Sequence, residues 1–214
     1  MIPKSGRFAN DIAKMGARVV NFISHLQMPF RFDPIRLQAD LAHISSNVWT
    51  LHVNHLIYRG EWSGLALRNG TGDPTDLAAD LVRGNVFIDT PLLSHCMYIP
   101  QVLAAFQCPI ASVRFLKLAA GAEIDEHADG GLCYEFGEVR FHIPVHTHAA
   151  LDFRLNGERL VMQEGECWYI NANMPHSVAN RSDIDRVHLV IDAGANEWLR
   201  EIFDAAKDTV ASRL

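Results

Sequence analysis

Nine short segments rich in valine, isoleucine, leucine and aromatic residues dominate the chain: 50–57, 62–68, 112–118, 138–145, 149–155, 158–163, 166–171, 176–180 and 186–192. Turn-forming residues separate them, among them Asn156-Gly157, Glu164-Gly165, Asn171-Ala172-Asn173 and Ser182-Asp183. From residue 112 onward most of the gaps are too short for βαβ crossovers, which need roughly a dozen residues or more. Strands joined this way pair with near neighbours, and many together make a sandwich or a barrel. Asn156-Gly157, between DFRL and ERLVM, is the pair that a two-residue hairpin favours, because both residues tolerate positive φ. The pattern predicts a mainly β fold with flanking helices, a β barrel or jelly roll spanning about 110–192.

Helical spacing lies outside that stretch. Residues 8–27 carry Ile12, Met15, Val19, Val20 and Ile23 on one side. Pro34 follows Asp33 at a first-turn position, and Leu37, Leu41 and Ile44 share a face, which predicts a helix over 34–45. Two more are expected at 95–107 and 196–207. With 214 residues, one domain is expected overall. It divides into N-terminal helices and leading strands packed on the barrel (1–110), the jelly-roll core (111–195) and a C-terminal helix (196–214).

Charge and cysteine content exclude several classes of partner. Nineteen Lys+Arg against 25 Asp+Glu leave a formal charge of −6, which offers no basic footprint for nucleic acid. No apolar run approaches the ~18 residues of a membrane span, and Lys4, Arg7, Asp11, Lys14 and Arg18 interrupt any signal-peptide core. Four cysteines (96, 108, 133 and 167) form no C-x-x-C pair, so reduced thiols are expected. A soluble, cytoplasmic protein acting on a small molecule is the expectation, with no nucleic acid and no membrane span. Its oligomeric state is left open.

Eleven histidines are the compositional oddity, and position decides their meaning. In an extended segment, residues i and i+2 point the same way, so His127 and Asp129 can converge on one point. His176, after a pair of strands, can join them from a neighbouring strand. Two histidines and a carboxylate with open positions describe the facial triad of non-haem Fe(II). A polar turn through Asp129-Gly130-Gly131, with His127 at a strand end, is the plainer reading. Strand alternation puts Arg186, His188 and Val190 on one face and Val187, Leu189 and Ile191 on the other. If the aliphatic face packs against helices, Arg186 points inward and needs an anion, since an unpaired buried charge is costly. On an exposed turn, Arg186 would pair with Asp183 or Asp185 instead. Arg140, His142 and Pro144 make a second such row, with pairing of Arg140 to Glu135 or Glu138 as the alternative.

The runs VRFLKLAAGAEIDEHAD, VRFHIPVHT, GECWYINANMPHSVANRS and DRVHLVID, in that order over about 112–198, resemble the bacterial branch of the aspartyl/asparaginyl β-hydroxylase family. The resemblance implies a double-stranded β-helix (a cupin-like jelly roll) and an Fe(II)- and 2-oxoglutarate-dependent dioxygenase. Such an enzyme hydroxylates an unactivated C–H bond and releases succinate and CO2. By the same resemblance His127, Asp129 and His176 are the iron ligands, and Arg186 holds the 5-carboxylate of 2-oxoglutarate. Arg140 and His142 match the R-x-H pair beside that cosubstrate. Asp129 is a middle carboxylate that the animal members lack, and the 130–137 loop is longer than in those members. The bacterial branch spans free-proline hydroxylases and enzymes acting on lipid A acyl chains, so a small, carboxylate-bearing substrate, amino-acid-like or acyl, is expected.

Two rivals stand beside this reading. A cupin-type metal dioxygenase or isomerase without 2-oxoglutarate matches Gly121, His127 and His176 in part, but Glu135 is out of register. A non-catalytic jelly roll that binds a metal or a carboxylate needs none of the turnover. Of the remaining residues, Trp168 is expected in the core, Asn180 on backbone groups, and His146 and His148 in an exposed turn. Trp62, Arg68 and Asn69 are expected near the substrate mouth.

Overall fold

The computed structural model describes residues 22–44, 48–78 and 86–211, with side chains described as far as residue 206. Among these residues thirteen strands form two sheets. In chain order the strands are β1 (His25–Arg31), β2 (Thr50–Leu51), β3 (Tyr58–Arg59), β4 (Trp62–Asn69), β5 (Ile88–Asp89), β6 (Ile110–Leu118), β7 (Glu123–His127), β8 (Glu138–His146), β9 (Leu151–Leu155), β10 (Glu158–Leu160), β11 (Glu166–Ile170), β12 (His176–Asn180) and β13 (Arg186–Gly194). The larger sheet runs β1-β11-β8-β13-β6-β4-β2, with β5 on β4, and the smaller runs β10-β9-β12-β7-β3. Every pairing is antiparallel. The fold is a jelly roll, as the turn spacing predicts.

Alternation along the central strands creates two cores. Val139, Phe141, Ile143 and Val145 of β8, with Val187, Leu189 and Ile191 of β13, point outward to a layer of helices. Their neighbours Arg140, His142, Arg186 and His188 therefore face the space between the sheets, alongside Leu116, Leu118, Phe153, Ile170 and Val178. The helical layer consists of α1 (Pro34–His43), α2 (Ile99–Ala104) and α3 (Glu197–Ala211). Leu37, Ile99, Val102, Leu199 and Phe203 carry it onto the sheet and are fully buried. Asp33 caps α1, its Oδ1 accepting from the backbone N–H of Ile35 at 3.0 Å and of Arg36 at 3.2 Å. Asn196 Oδ1 does the same for α3 by accepting from Leu199 N–H.

Three expectations fail. The helix read over 8–27 lies outside the described residues up to position 21, and from His25 onward the chain is strand β1. Pro29 explains this. It would break a helix interior, yet it is tolerated on an edge strand such as β1, where an N–H is not required. Segment 50–57 pairs only through Thr50–Leu51 and then turns away, leaving Val53 and Leu56 exposed. The helix expected at 95–107 is reduced to Ile99–Ala104 after a 3-10 turn, Pro91–His95. The buried Asp40 of α1 decides that start, because its carboxylate accepts from the N–H groups of Met97, Tyr98 and Ile99 at 2.7–2.8 Å. Leading strands β1 and β4 are built into the larger sheet and do not merely lie against it.

Gly165 ties the β11 end of the sheet to the β1–α1 junction. It adopts φ +75°, and a Cβ there would sit 2.1 Å from the carbonyl oxygen of Phe32. Phe32 N–H in turn donates to Gly165 O at 2.7 Å. Gly165→Ala combines left-handed backbone strain with a backbone clash, so a loss of about 2–4 kcal/mol is expected in urea unfolding. A loss below ~0.5 kcal/mol would show that this junction is not tight.

Candidate metal centre and anion pocket

His127 and His176 are direct partners across β7 and β12, with ring centroids 4.2 Å apart. Simple alternation would not bring them together. Ile124 of β7 faces inward opposite Val178, and His127 lies three residues beyond it, on the parity that should face out. A bulge between these two pairings inserts an extra β7 residue and turns His127 back toward the interior. Asp129 follows in a loop pinned to the β11–β12 connection. Its N–H donates to Ala172 O at 2.8 Å, and Gly131 N–H donates to Asn173 Oδ1 at 2.9 Å. One ligand atom from each of His127, Asp129 and His176 lies within 4.8 Å of the others.

Both imidazoles are oriented by the backbone. His127 Nδ1 meets Asp125 O at 2.9 Å and His176 Nδ1 meets Met174 O at 3.0 Å. A carbonyl can only accept, so Nδ1 carries the proton and each Nε2 keeps its lone pair for a cation. Burial holds His176 neutral, with its pKa down at about 4. Burial works against ionisation of Asp129, but Arg140 and the two histidines outweigh it and hold its pKa below the usual carboxylate value. Two imidazoles that each turn Nε2 away from the backbone, together with one carboxylate, fit a divalent first-row metal.

The cavity beside these residues measures about 460 Å³. Trp62, Phe153, Ile170 and Val178 provide apolar wall, and Arg114, Arg140, His142 and Arg186 enter it from the larger sheet. Arg140 donates to Asp129 Oδ2 at 2.5 Å and to Asp192 Oδ1 at 2.7 Å, so the acid partners considered from sequence, Glu135 and Glu138, are not those it is seen with. Asp192, fully buried, also binds Arg114 and accepts from Ser112 Oγ at 2.8 Å. Its pKa is lowered because Arg140 and Arg114 overcome the burial that alone would raise it.

Arg186 is different. It is 4% exposed, and among the described residues its side chain makes no ion pair or hydrogen bond. Burial alone lowers its pKa, to about 10. The exposed-turn alternative therefore fails: Asp185 instead accepts from Ala120 N–H and lies near Lys117.

Sequence reasoning missed Arg114, Asp192 and His52. The first two were legible, since alternation through SVRFLKL puts Arg114 on the face of Leu116 and Leu118, and Asp192 on the face of Arg186. His52 was not: it sits in a loop and reaches the cavity by stacking on Trp62 at 3.5 Å. Of the residues expected at the mouth, Trp62 lines the cavity. Arg68 pairs with Asp89 instead, and Asn69 organises its own turn. Asn180 donates to Leu118 O, Ala119 O and Ile184 O, the backbone role expected of it, and Trp168 packs against the inner core.

The profile of the aspartyl/asparaginyl beta-hydroxylase family matches residues 41–195. L-Proline cis-4-hydroxylase of Rhizobium meliloti (strain 1021) is 26% identical over 196 residues, covering 89% of this chain and 68% of that protein. L-Proline cis-3-hydroxylase 2 of a Streptomyces species is 25% identical over 175 residues, covering 79% of this chain and 59% of that protein. The chain thus spans only part of the length of either relative. A crystal structure of an oxidoreductase of the 2OG-Fe(II) oxygenase family from Burkholderia pseudomallei shares the fold, with a TM-score of 0.51 at 14% identity over 92% of this chain and 96% of that one. Among the described residues no helix is long and apolar enough to cross a membrane.

Two outcomes are expected from the electrostatics. Asp192→Asn leaves Arg114 and Arg140 buried without their shared counter-ion, and should cost about 3–5 kcal/mol in urea unfolding. Burial pushes His142 and His188 well below their usual value. The unfolded chain therefore binds protons there below pH ~6.5 and the folded chain does not. Stability should fall as pH drops from ~6.5, by up to ~1.4 kcal/mol per pH unit for each ring. Equal stability at pH 7 and pH 5 would contradict this.

Proposed function

The chain belongs to the aspartyl/asparaginyl β-hydroxylase family, and from that premise we propose that it is an Fe(II)- and 2-oxoglutarate-dependent hydroxylase of a small, amino-acid-like substrate. The observation that carries this reading is Arg186, a buried guanidinium facing the cavity of the histidine–aspartate cluster and without an acid partner among the described residues. Burying such a charge is strongly unfavourable unless an anion joins it. A planar guanidinium suits two-pronged binding of a carboxylate. A cosubstrate with a distal carboxylate meets that need, whereas a cupin-type reaction without 2-oxoglutarate leaves Arg186 unexplained.

In this reading His127, Asp129 and His176 hold the iron through their free nitrogen and oxygen atoms. Iron(II) bound there with 2-oxoglutarate and O2 supplies the oxidation, in which the cosubstrate leaves as succinate and CO2 and one oxygen atom enters the substrate C–H bond. The protein's own residues do the rest. Arg140 keeps Asp129 anionic and aimed. Arg186 clamps the 5-carboxylate, with Arg140 and His142 beside the cosubstrate. Trp62, Phe153 and Val178 keep water from the reacting face. The proline hydroxylases among its relatives support a free amino acid or a close analogue as the substrate class.

Succinate release should therefore be coupled to a free amino acid in a screen that begins with L-proline. Arg186→Leu should leave metal binding intact while raising the 2-oxoglutarate KM by on the order of ten- to a thousandfold, the loss of one or two charge-assisted bonds. Arg186→Lys should recover part of it. His127→Ala/His176→Ala should bind no iron. Stoichiometric iron in that double variant would overturn the metal assignment, and an unchanged KM in Arg186→Leu would overturn the clamp.

A further inference from the structure

His142 and His188 are both buried, and their Nδ1 atoms lie 3.1 Å apart with the rings at 77°. They come from neighbouring strands β13 and β8 and meet on the diagonal, His188 opposite Pro144 and His142 opposite Val190, and the Phe153 ring lies 5.8 Å from His142. Two ring nitrogens at that distance make one hydrogen bond, in which one Nδ1 is protonated and the other is not. Whichever ring donates, the partner's remaining proton must sit on Nε2. The pair thus requires opposite tautomers in the two rings.

We infer that His188 is a positioning residue that donates from Nδ1 to His142, so that His142 presents its Nε2–H to the carboxylate held by Arg186. One observation selects this direction. His188 Nε2 is buried with no hydrogen-bond partner, and the guanidinium of Arg186 is two residues away on the same strand face. An orphaned buried N–H is rarer than an orphaned acceptor, so the unpartnered Nε2 is the bare nitrogen and the His188 proton sits on Nδ1. His142 then accepts at Nδ1 and carries its proton at Nε2, and its ring lines the cavity. Arg186 supplies charge and His142 a neutral donor, so the pocket gains a second hydrogen bond to the anion without a second buried cation. Burial keeps both rings neutral, as the arrangement requires, with Arg140 and Arg186 adding to it at His142 and Arg186 at His188.

This inference rests on the cosubstrate reading given above, and the test separates the two. Nitrogen-15 NMR of the histidine rings, in the metal-free and the Zn(II)-loaded protein, should show His142 in the Nε2–H form. Calorimetric titration of the Zn(II)-loaded protein with 2-oxoglutarate should show about tenfold weaker binding for His188→Leu, the scale of one charge-assisted hydrogen bond. His188→Asn keeps an N–H where Nδ1 stood, and should restore binding to within roughly threefold of the parent. An Nδ1–H form of His142 in the parent, unchanged affinity in a folded His188→Leu, or Asn as weak as Leu would each overturn the positioning role. A parent that shows the Nε2–H form yet binds no 2-oxoglutarate would instead overturn the proposed cosubstrate, and with it the ligand assigned to His142.

Discussion

Arg114, buried, and Arg140, largely buried, share one carboxylate between the sheets, the fully buried Asp192. Arg114 could not be taken out of water without it, and the carboxylate could not be buried without the two cations. Arg140 then extends the chain of charge to Asp129 on the opposite sheet. This one network links β6, β8 and β13 to the loop that follows β7, and so couples the rigid larger sheet to the candidate metal ligands. The same cavity is lined by apolar wall and by Arg186.

Against that balance Arg186 acquires its meaning. Three guanidinium groups enter the interior from the larger sheet. Two of them, Arg114 and Arg140, have acids within the chain, and Arg186 is seen with none. That contrast between two paired guanidinium groups and an unpaired one in the same cavity is what supports the proposed carboxylate cosubstrate. On the same proposal, the His142–His188 pair would add a neutral donor where a further buried cation would be costly.

Strand alternation made much of this legible. The rows Arg140, His142, Pro144 and Arg186, His188, Val190 follow from period two alone, given an aliphatic opposite face that must meet helices. The same rule applied to SVRFLKL would have found Arg114, and applied one step further along β13 would have found Asp192. The short β-rich segments and their turns announced the jelly roll, and Asn156-Gly157 closes the β9–β10 hairpin with both residues at positive φ. What failed was local: Pro29 was needed to recognise β1, and the start of α2 depends on Asp40, a side chain from another helix.

The sequence by itself determined the fold class, the inward rows of β8 and β13, and the identity of the residues able to bind a metal, because these depend on periodicity and chemical type. Only the tertiary structure decided that His127 faces His176. A bulge in β7 overrides alternation there, and a bulge is a property of two strands in register and not of either alone. It alone decided, too, which buried arginines are paired. Ion pairing depends on which strands lie side by side and on what a folded interior excludes, so Arg140 found Asp192 on the neighbouring strand and Asp129 in the loop after β7, and Arg186 was left facing the cavity.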